Sequence, residues 1–339
     1  MKKHNLSVRA IVWKQIREAA GISFILFRIM IPVVLAVKIL SELGLVKYIA
    51  AAFAPVMNIA GLPGEMGIVW ATAVITNMYG GIVLFASIAP GLHMSTAQIT
   101  IITGMILVAH AIPVETTITR KTGVRLRFMI PFRLLCAFLF GFLLHCLYSF
   151  GNFLQEEGRI LWEASPGNDS LGSWGLAQLQ NLLRIFIIVL LLIILMKFLD
   201  RLGITRLMNR ILEPVLTSMG IGKSASTVTI LGMILGISYG GGLIIRDVNL
   251  GKISGRDVFF SVSLMGLLHS IIEDTILMMS LGGNISGVLF ARIAFTWLVI
   301  LLLVRFIGKM SDAAFYKYFF RPRSHPLKNL PGDIVSDAG

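Results

Sequence analysis

The sequence predicts an all-α polytopic membrane protein built from two inverted-topology repeats. Three observations carry that prediction: an apolar composition, long uninterrupted apolar stretches, and a residue register that recurs across the chain. Of the 339 residues, 56% are hydrophobic and only 14% are charged, and the mean hydropathy is +0.84. Water-soluble domains carry roughly a quarter charged residues. The stretches 22–40, 128–150, 182–199 and 287–307 approach or exceed the roughly 18–20 apolar residues that a bilayer-crossing helix requires.

The net charge of +13 does not point to nucleic acid. The basic residues form short clusters between apolar spans, without interleaved aromatics or a groove-binding motif. Loop charge of this kind is what the positive-inside rule produces. Cys136 and Cys146 fall within one apolar stretch, which implies neither a disulfide framework nor a metal knuckle. No short apolar region ending in a small-residue cleavage site precedes the first span, so no cleavable signal is expected. Residues 1–20 read as an interfacial amphipathic helix, with Leu6, Val12, Trp13 and Ile16 on one side and Arg9, Lys14 and Arg17 toward water.

Internal repetition organises the rest. A shift of 159 positions overlays Lys38 on Lys197, Gly44 on Gly203, Pro55 on Pro214, Gly61 on Gly220, His110 on His269, Glu115 on Asp274, Thr116 on Thr275 and Arg133 on Arg292. Tyr79-Gly80-Gly81 meets Tyr239-Gly240-Gly241 after a one-residue slip. Leucine-rich sequences align by accident; glycine, proline, histidine and arginine in constant register do not. The expected segments are 21–150 and 178–308 as repeats, 151–177 as an acidic extracytoplasmic linker, and 309–339 as a basic cytoplasmic tail.

Within each repeat the elements follow in the same order. A long helix (22–40; 182–199) precedes a less apolar, proline-containing segment (45–60; 204–219). An apolar stretch broken by Tyr-Gly-Gly comes next (65–90; 224–250), then a helix with the His and carboxylate (97–118; 257–281), and then a last long helix (128–150; 287–307). Charge sets the topology. Lys2, Lys3, Arg9, Lys14 and Arg17 place the N-terminus in the cytoplasm of a bacterial inner membrane, and Arg120, Lys121, Arg125 and Arg127 place loop 119–127 there too. Glu156, Glu157, Glu163 and Asp169, against the single Arg159, put the linker outside. Arg201, Arg206 and Arg210 then lie inside, as does the tail with Lys309, Lys317, Arg321 and Arg323.

These assignments demand an odd number of crossings per repeat. Arg206, Asn209, Arg210 and Glu213 make the second segment costly in hydrocarbon, at about 2.5–3.5 kcal/mol for each central charge. It therefore reads as a surface amphipathic helix, and the Tyr-Gly-Gly stretch as a re-entrant hairpin. Each repeat then has about three full spans; five spans per repeat is the alternative. Inverted repeats place binding sites near the midplane, where broken helices meet.

Candidate site residues follow from this. His110, Glu115 and Thr116 in the first repeat, and His269, Glu273, Asp274 and Thr275 in the second, are ionisable or polar groups at membrane depth, where such groups default to function. Their spacing places His269 and Glu273 on one helix face, and Pro113 is expected to interrupt the first helix. Pairing of each carboxylate with an arginine is the competing structural role, with Arg133 and Arg292 as supporting charges. Asn77, Tyr79, Gly80 and Gly81, with Ser238, Tyr239, Gly240 and Gly241, mark hairpin tips whose backbone can meet a ligand or simply pack closely. If a metal binds, His110, Glu115, His269 and Asp274 are its expected ligands. Gly222-Lys223-Ser224 lacks the upstream glycine and strand of a phosphate loop. No His-Glu-x-x-His or usable Ser-His pairing is present, so no enzymatic activity is expected.

The Gly-Leu-Pro-Gly-Glu turn at 61–65, the two Tyr-Gly-Gly segments and the two His-carboxylate-Thr helices resemble the nucleoside-recognition, or Gate, domain family of bacterial membrane proteins. That family takes in the spore maturation proteins A and B and, distantly, concentrative nucleoside transporters and the ferrous-iron permease. The resemblance covers roughly 20–308 and implies transport through re-entrant hairpins and broken helices. It carries no counterpart of the hairpin motifs that hold base and ribose in the concentrative transporters.

The function expected is a secondary-type transporter of a small polar solute, nucleoside-like by resemblance. Coupling to H⁺ or Na⁺ is expected and no cofactor. A divalent ion such as Fe, Mn or Zn is the alternative cargo, and a non-transporting membrane subunit the alternative class. Expected partners are the lipid bilayer, a small solute or ion, and a second copy or a paralogous membrane chain. The topology is testable by replacing both native cysteines with serine. An impermeant thiol reagent applied to intact cells should then label Glu156→Cys and spare Lys121→Cys; the reverse pattern overturns the orientation.

Overall fold

The computed structural model describes residues 8–160 and 171–321, and within them the chain is helical, with two isolated β-bridges. The order is α1 (Val8–Glu42), α2 (Val46–Ile59), α3 (Glu65–Ile75), α4 (Met78–Ile88), α5 (Thr96–Val108), α6 (Ile112–Thr122) and α7 (Leu126–Phe150). It continues with α8 (Leu171–Arg201), α9 (Ile204–Ser218), α10 (Lys223–Leu235), α11 (Ile237–Asn249), α12 (Gly255–Leu267), α13 (Ile271–Ser280), α14 (Arg292–Ile307, entered through a π-turn at Ser286–Ala291) and α15 (Asp312–Tyr318). The first seven helices match the next seven one for one. Backbone detail repeats as well: left-handed residues recur at Gly44 and Gly203, Gly61 and Gly220, Ala111 and Ser270, and Gly123 and Gly282. The chain is thus an all-α polytopic membrane protein in which one unit is used twice.

Five helical stretches are long and apolar enough to cross a bilayer: Thr96–Thr122, Leu126–Phe150, Gly172–Leu199, Gly255–Ser280 and Ser286–Ile307. The predicted span at 22–40 lies inside the 35-residue α1. Within their apolar 18-residue windows, 83% of Thr96–Thr122 and 72% of Gly255–Ser280 is buried, against 17–33% for the other three. They therefore form the centre, while helices such as α8 turn Leu179, Leu183, Ile187 and Leu191 outward, as a lipid-facing wall would.

Between these spans sit two helical hairpins. Helices α3 and α4 have 11 residues each, about 16 Å, or half of a hydrocarbon core about 30 Å thick. They fold back on each other: a Cβ on Gly81 would lie 2.6 Å from the Cβ of Ala73. In the second repeat a Cβ on Gly240 would lie 2.4 Å from the Cα of Gly232. Only glycine permits backbones this close. Each hairpin tip reaches a break in a central helix, since Ala111 N–H donates to the Ala73 carbonyl at 2.9 Å and Gly236 abuts Ser270. Helices of 11 to 13 residues are too short to cross a hydrocarbon core about 30 Å thick singly, which favours three spans per repeat over five.

Contacts at the two ends show the inversion. Helix α5 begins against the linker, where Thr96 N–H donates to Glu156 O at 2.9 Å and Ala97 N–H to Leu154 O at 2.8 Å. Its counterpart α12 begins at the opposite end. There Arg256 donates to Ile307 O at 2.7 Å, and Gly255 abuts Phe320, whose own segment pairs with the 123–125 loop through Arg125 N–H to Phe319 O at 2.9 Å. The end of α13 returns to the linker, where Gly282 lies against the Arg159 carbonyl. Helices α1 and α8 run antiparallel, with Lys197 near the end of α8 bonded to Gln15 at 2.7 Å and paired with Glu18. Loop 119–127, α15 and the first turns of α1 thus share one side, and linker residues 151–160 occupy the other.

Several boundaries move. Residues 8–20 are the first turns of α1 and not a separate helix, since α1 runs continuously from Val8 to Glu42, through Pro32 in its interior. Helix α8 starts at Leu171, inside the predicted linker. The predicted tail folds as α15 over Asp312–Tyr318, seating Phe315 at zero exposure. Residues 1–7, 161–170 and 322–339 of the predicted segments lie outside the described residues. Substituting Gly240→Val should jam the second hairpin and lower stability by about 1–3 kcal/mol. Thermal unfolding of the purified chain in detergent checks this, with the exposed and uncrowded Gly242→Ala expected to change little.

Candidate functional site

Both central helices break at the same place. Helix α5 ends at Val108 and α12 at Leu267, and the chain resumes after Ala111 and Ser270, which take φ of +48° and +46°. Left-handed backbone at a residue other than glycine is costly and persists only where its surroundings enforce it. Pro113 does not cause the break. It occupies the first turn of α6, where a missing N–H costs nothing, and its counterpart Ile272 accompanies the same break in the second repeat.

The cause is side-chain chemistry. Arg133 on α7 is 1% exposed and donates from Nε and Nη2 to the Val108 carbonyl, both at 3.3 Å. Arg292 on α14, also 1% exposed, donates to Leu267 O at 3.1 Å and to Leu107 O and His269 O, both at 3.2 Å. Arg133 thus satisfies one carbonyl, and Arg292 three, left open where the central helices end, at the negative end of the helix dipole. On the other side of each break Glu115 and Asp274 sit in the first turns of α6 and α13, at the positive end.

The histidines complete the cluster. His110 Nδ1 meets Ile106 O at 2.8 Å and His269 Nδ1 meets Met265 O at 2.7 Å. A carbonyl only accepts, so both Nδ1 atoms carry hydrogen and both Nε2 atoms face inward. The two Nε2 atoms lie 3.3 Å apart, and a residue touching its own repeat equivalent must sit on the axis relating the repeats. Glu115 Oε1 lies 3.3 Å from His110 Nε2 and 3.4 Å from His269 Nε2, while Oε2 pairs with Arg133. The Asp274 carboxylate is within 4.8 Å of both imidazoles. Its Oδ2, and Nη1 of Arg292, are buried without a hydrogen-bond partner.

The structure therefore brings His110, His269, Glu115 and Asp274 together and gives Arg133 and Arg292 the role of buried counter-charges. Glu273 does not share a helix face with His269, because the break at Leu268–Ser270 intervenes; the facing carboxylate is Asp274. Thr116 hydroxyl donates back to Ile112 O at 2.6 Å, whereas Thr275 Oγ1 is buried and unpartnered. Asn77 caps α4 by accepting from Gly80 N–H at 2.9 Å. Gly80, Gly81 and Gly240 face Thr76, Ala73 and Gly232 too closely for a Cβ, so they pack the hairpins, and Gly241 faces Ile118 of α6 as closely. Tyr79 is buried within electrostatic reach of Glu273 and Asp274. The side chains of Ser238 and Tyr239 lie outside the described residues. Sequence reasoning missed the carbonyls of Leu107, Val108 and Leu267. The available signal was the identical spacing from Glu115 to Arg133 and from Asp274 to Arg292.

No protein-family model matches this chain, and no solved structure matches it. It is similar to the uncharacterized membrane protein YvoD of Bacillus subtilis (strain 168), at 26% identity over 280 residues covering 81% of this chain and 88% of that protein. Arg133→Met should strand the Glu115 carboxylate and cost about 3–5 kcal/mol. Adding Glu115→Gln should recover part of the loss, read as thermal midpoints in detergent; purely additive losses would show that the two groups do not interact. The similarity to YvoD and the five apolar spans together make this chain a multi-pass membrane protein.

Proposed function

We propose that the chain is a secondary-type transporter of a small polar solute or ion, coupled to an ion gradient, with its site at the midplane between the repeats. One observation carries this reading: two hairpins entering from opposite sides meet two broken helices around a buried His-carboxylate-Arg cluster. Broken backbone at membrane depth is tolerated where it is enclosed by protein or lines a pathway. Ionisable groups there are the usual binding and relay elements of carriers. The resemblance to Gate-domain proteins supports the same reading and favours a nucleoside-like solute. The compactness of the cluster favours a small ion.

By the positive-inside rule, we place the side holding loop 119–127 and α15 in the cytoplasm of a bacterial inner membrane, with both termini. A second copy or a paralogous chain could cover the lipid-facing stripe of α8. The test is uptake into proteoliposomes of labelled nucleosides and divalent metals, with and without an imposed pH or Na⁺ gradient. Gradient-dependent uptake of at least one probe is expected. It should be abolished in Glu115→Gln and Asp274→Asn that still elute as intact protein on size exclusion. Uptake that survives both substitutions rules out this cluster as the transport site, and a chain that carries nothing and purifies only with a partner subunit rules out transport in favour of a structural subunit.

A further inference from the structure

We infer that His110, His269 and Glu115, with Asp274, form a tetrahedral binding site for a divalent transition-metal ion of the zinc class. The inference deepens the transport reading and rests on the same cluster. Its first ground is hydrogen-bond polarity. With Nδ1–H committed to the Ile106 and Met265 carbonyls, neutral imidazoles present only lone pairs at Nε2. Glu115 Oε1 presents another. Three acceptors thus converge at 3.3, 3.3 and 3.4 Å with no protein donor between them. A single shared proton lies along one edge of that triangle, and these edges exceed the roughly 2.7–3.2 Å of a good hydrogen bond. A cation above the triangle satisfies all three corners at once.

Geometry and donor type then select the ion. Ligands about 2.0–2.1 Å from a tetrahedral zinc are separated from one another by about 3.3–3.4 Å. Octahedral magnesium, at about 2.0–2.1 Å, would set neighbouring ligands about 2.9 Å apart. Calcium's longer bonds would suit the spacing, but calcium takes oxygen and not imidazole. Two imidazoles and a carboxylate suit zinc and its neighbours.

The outer shell has the form expected around a metal. Each histidine is oriented by a backbone carbonyl on its far nitrogen, and the carboxylate ligand is held through its second oxygen, here by Arg133. The fourth position belongs to Asp274. It is 2% exposed, its Oδ2 is unpartnered, and a carboxylate oxygen lies within 4.8 Å of a ring nitrogen of each histidine, so it completes the tetrahedron by closing that remaining distance onto the ion.

The test uses the purified full chain in nanodiscs with Zn²⁺ as the probe and Mn²⁺ and Ca²⁺ as comparators. One Zn²⁺ per chain should bind and raise the thermal midpoint, with Ca²⁺ doing neither. Zinc-edge X-ray absorption on the unaltered chain should show two imidazole nitrogens and carboxylate oxygen at about 2.0 Å. His110→Ala and His269→Ala should each weaken binding by about 100-fold or more, beyond the 10–100-fold that loss of an outer-shell partner costs. Because the absorption measurement needs no variant, a variant that misfolds leaves the inference testable. The site is overturned if Zn²⁺ does not saturate, if the double histidine variant still binds it, or if the shell lacks two imidazoles. Zinc binding without uptake into proteoliposomes would keep the site and reject the transport reading. Solute uptake without zinc binding would do the opposite.

Discussion

The fold depends on two guanidinium groups buried in the interior of the chain. Arg133 and Arg292 are the largest fully buried side chains in the described structure, and each is spent on the open end of a helix broken inside the membrane. A helix terminus leaves four carbonyls without partners, and in hydrocarbon each would cost several kcal/mol. The guanidinium fork supplies several donors in one plane, so Arg292 holds three carbonyls and Arg133 holds Val108 O with two of its N–H groups. The same charge then has to be balanced, and the carboxylates in the first turns of α6 and α13 supply the balance from across the break.

Duplication allows this arrangement to close on itself. Helix α5 and its equivalent α12 run in opposite directions, so each half brings a negative helix end, an arginine, a histidine and a carboxylate to the same central point. Arg292 makes the link explicit by bonding Leu107 of the other repeat as well as its own Leu267. The two histidines meet on the axis between them. The charged groups lower one another's desolvation cost, which none of them could do alone.

The halves are not interchangeable in detail. Glu115 is fully engaged with Arg133 and both imidazoles, while Asp274 keeps a free oxygen and Arg292 a free nitrogen. Helix α4 packs on α1, whereas its equivalent α11 packs on α6, with Gly241 pressed against Ile118. Equivalent elements with different neighbours mean that the repeat unit tolerates two packings of the same hairpin. Packed interfaces switch between such discrete arrangements and do not deform continuously. The transport proposed here would use that property to open the midplane site to either side.

The sequence by itself determined the membrane class, the duplication and the relative sides of the loops. Each rests on local quantities: apolar run length, residue register and the placement of lysine and arginine. It also named the histidines and carboxylates, because ionisable groups in apolar helices stand out. It did not reveal where the central helices break. Leu268-His269-Ser270 carries no proline or glycine and reads as continuous helix, which is why Glu273 was matched to His269. Pro113 drew attention in the first repeat for a break that Ile272 tolerates equally in the second. The break is set by donors that are remote in sequence: Arg133 reaches back to Val108, and Arg292 reaches Leu107 from the other repeat. Only tertiary structure decides it, because a backbone carbonyl has no sequence signature and a guanidinium's partner depends on which helix packing brings within its reach.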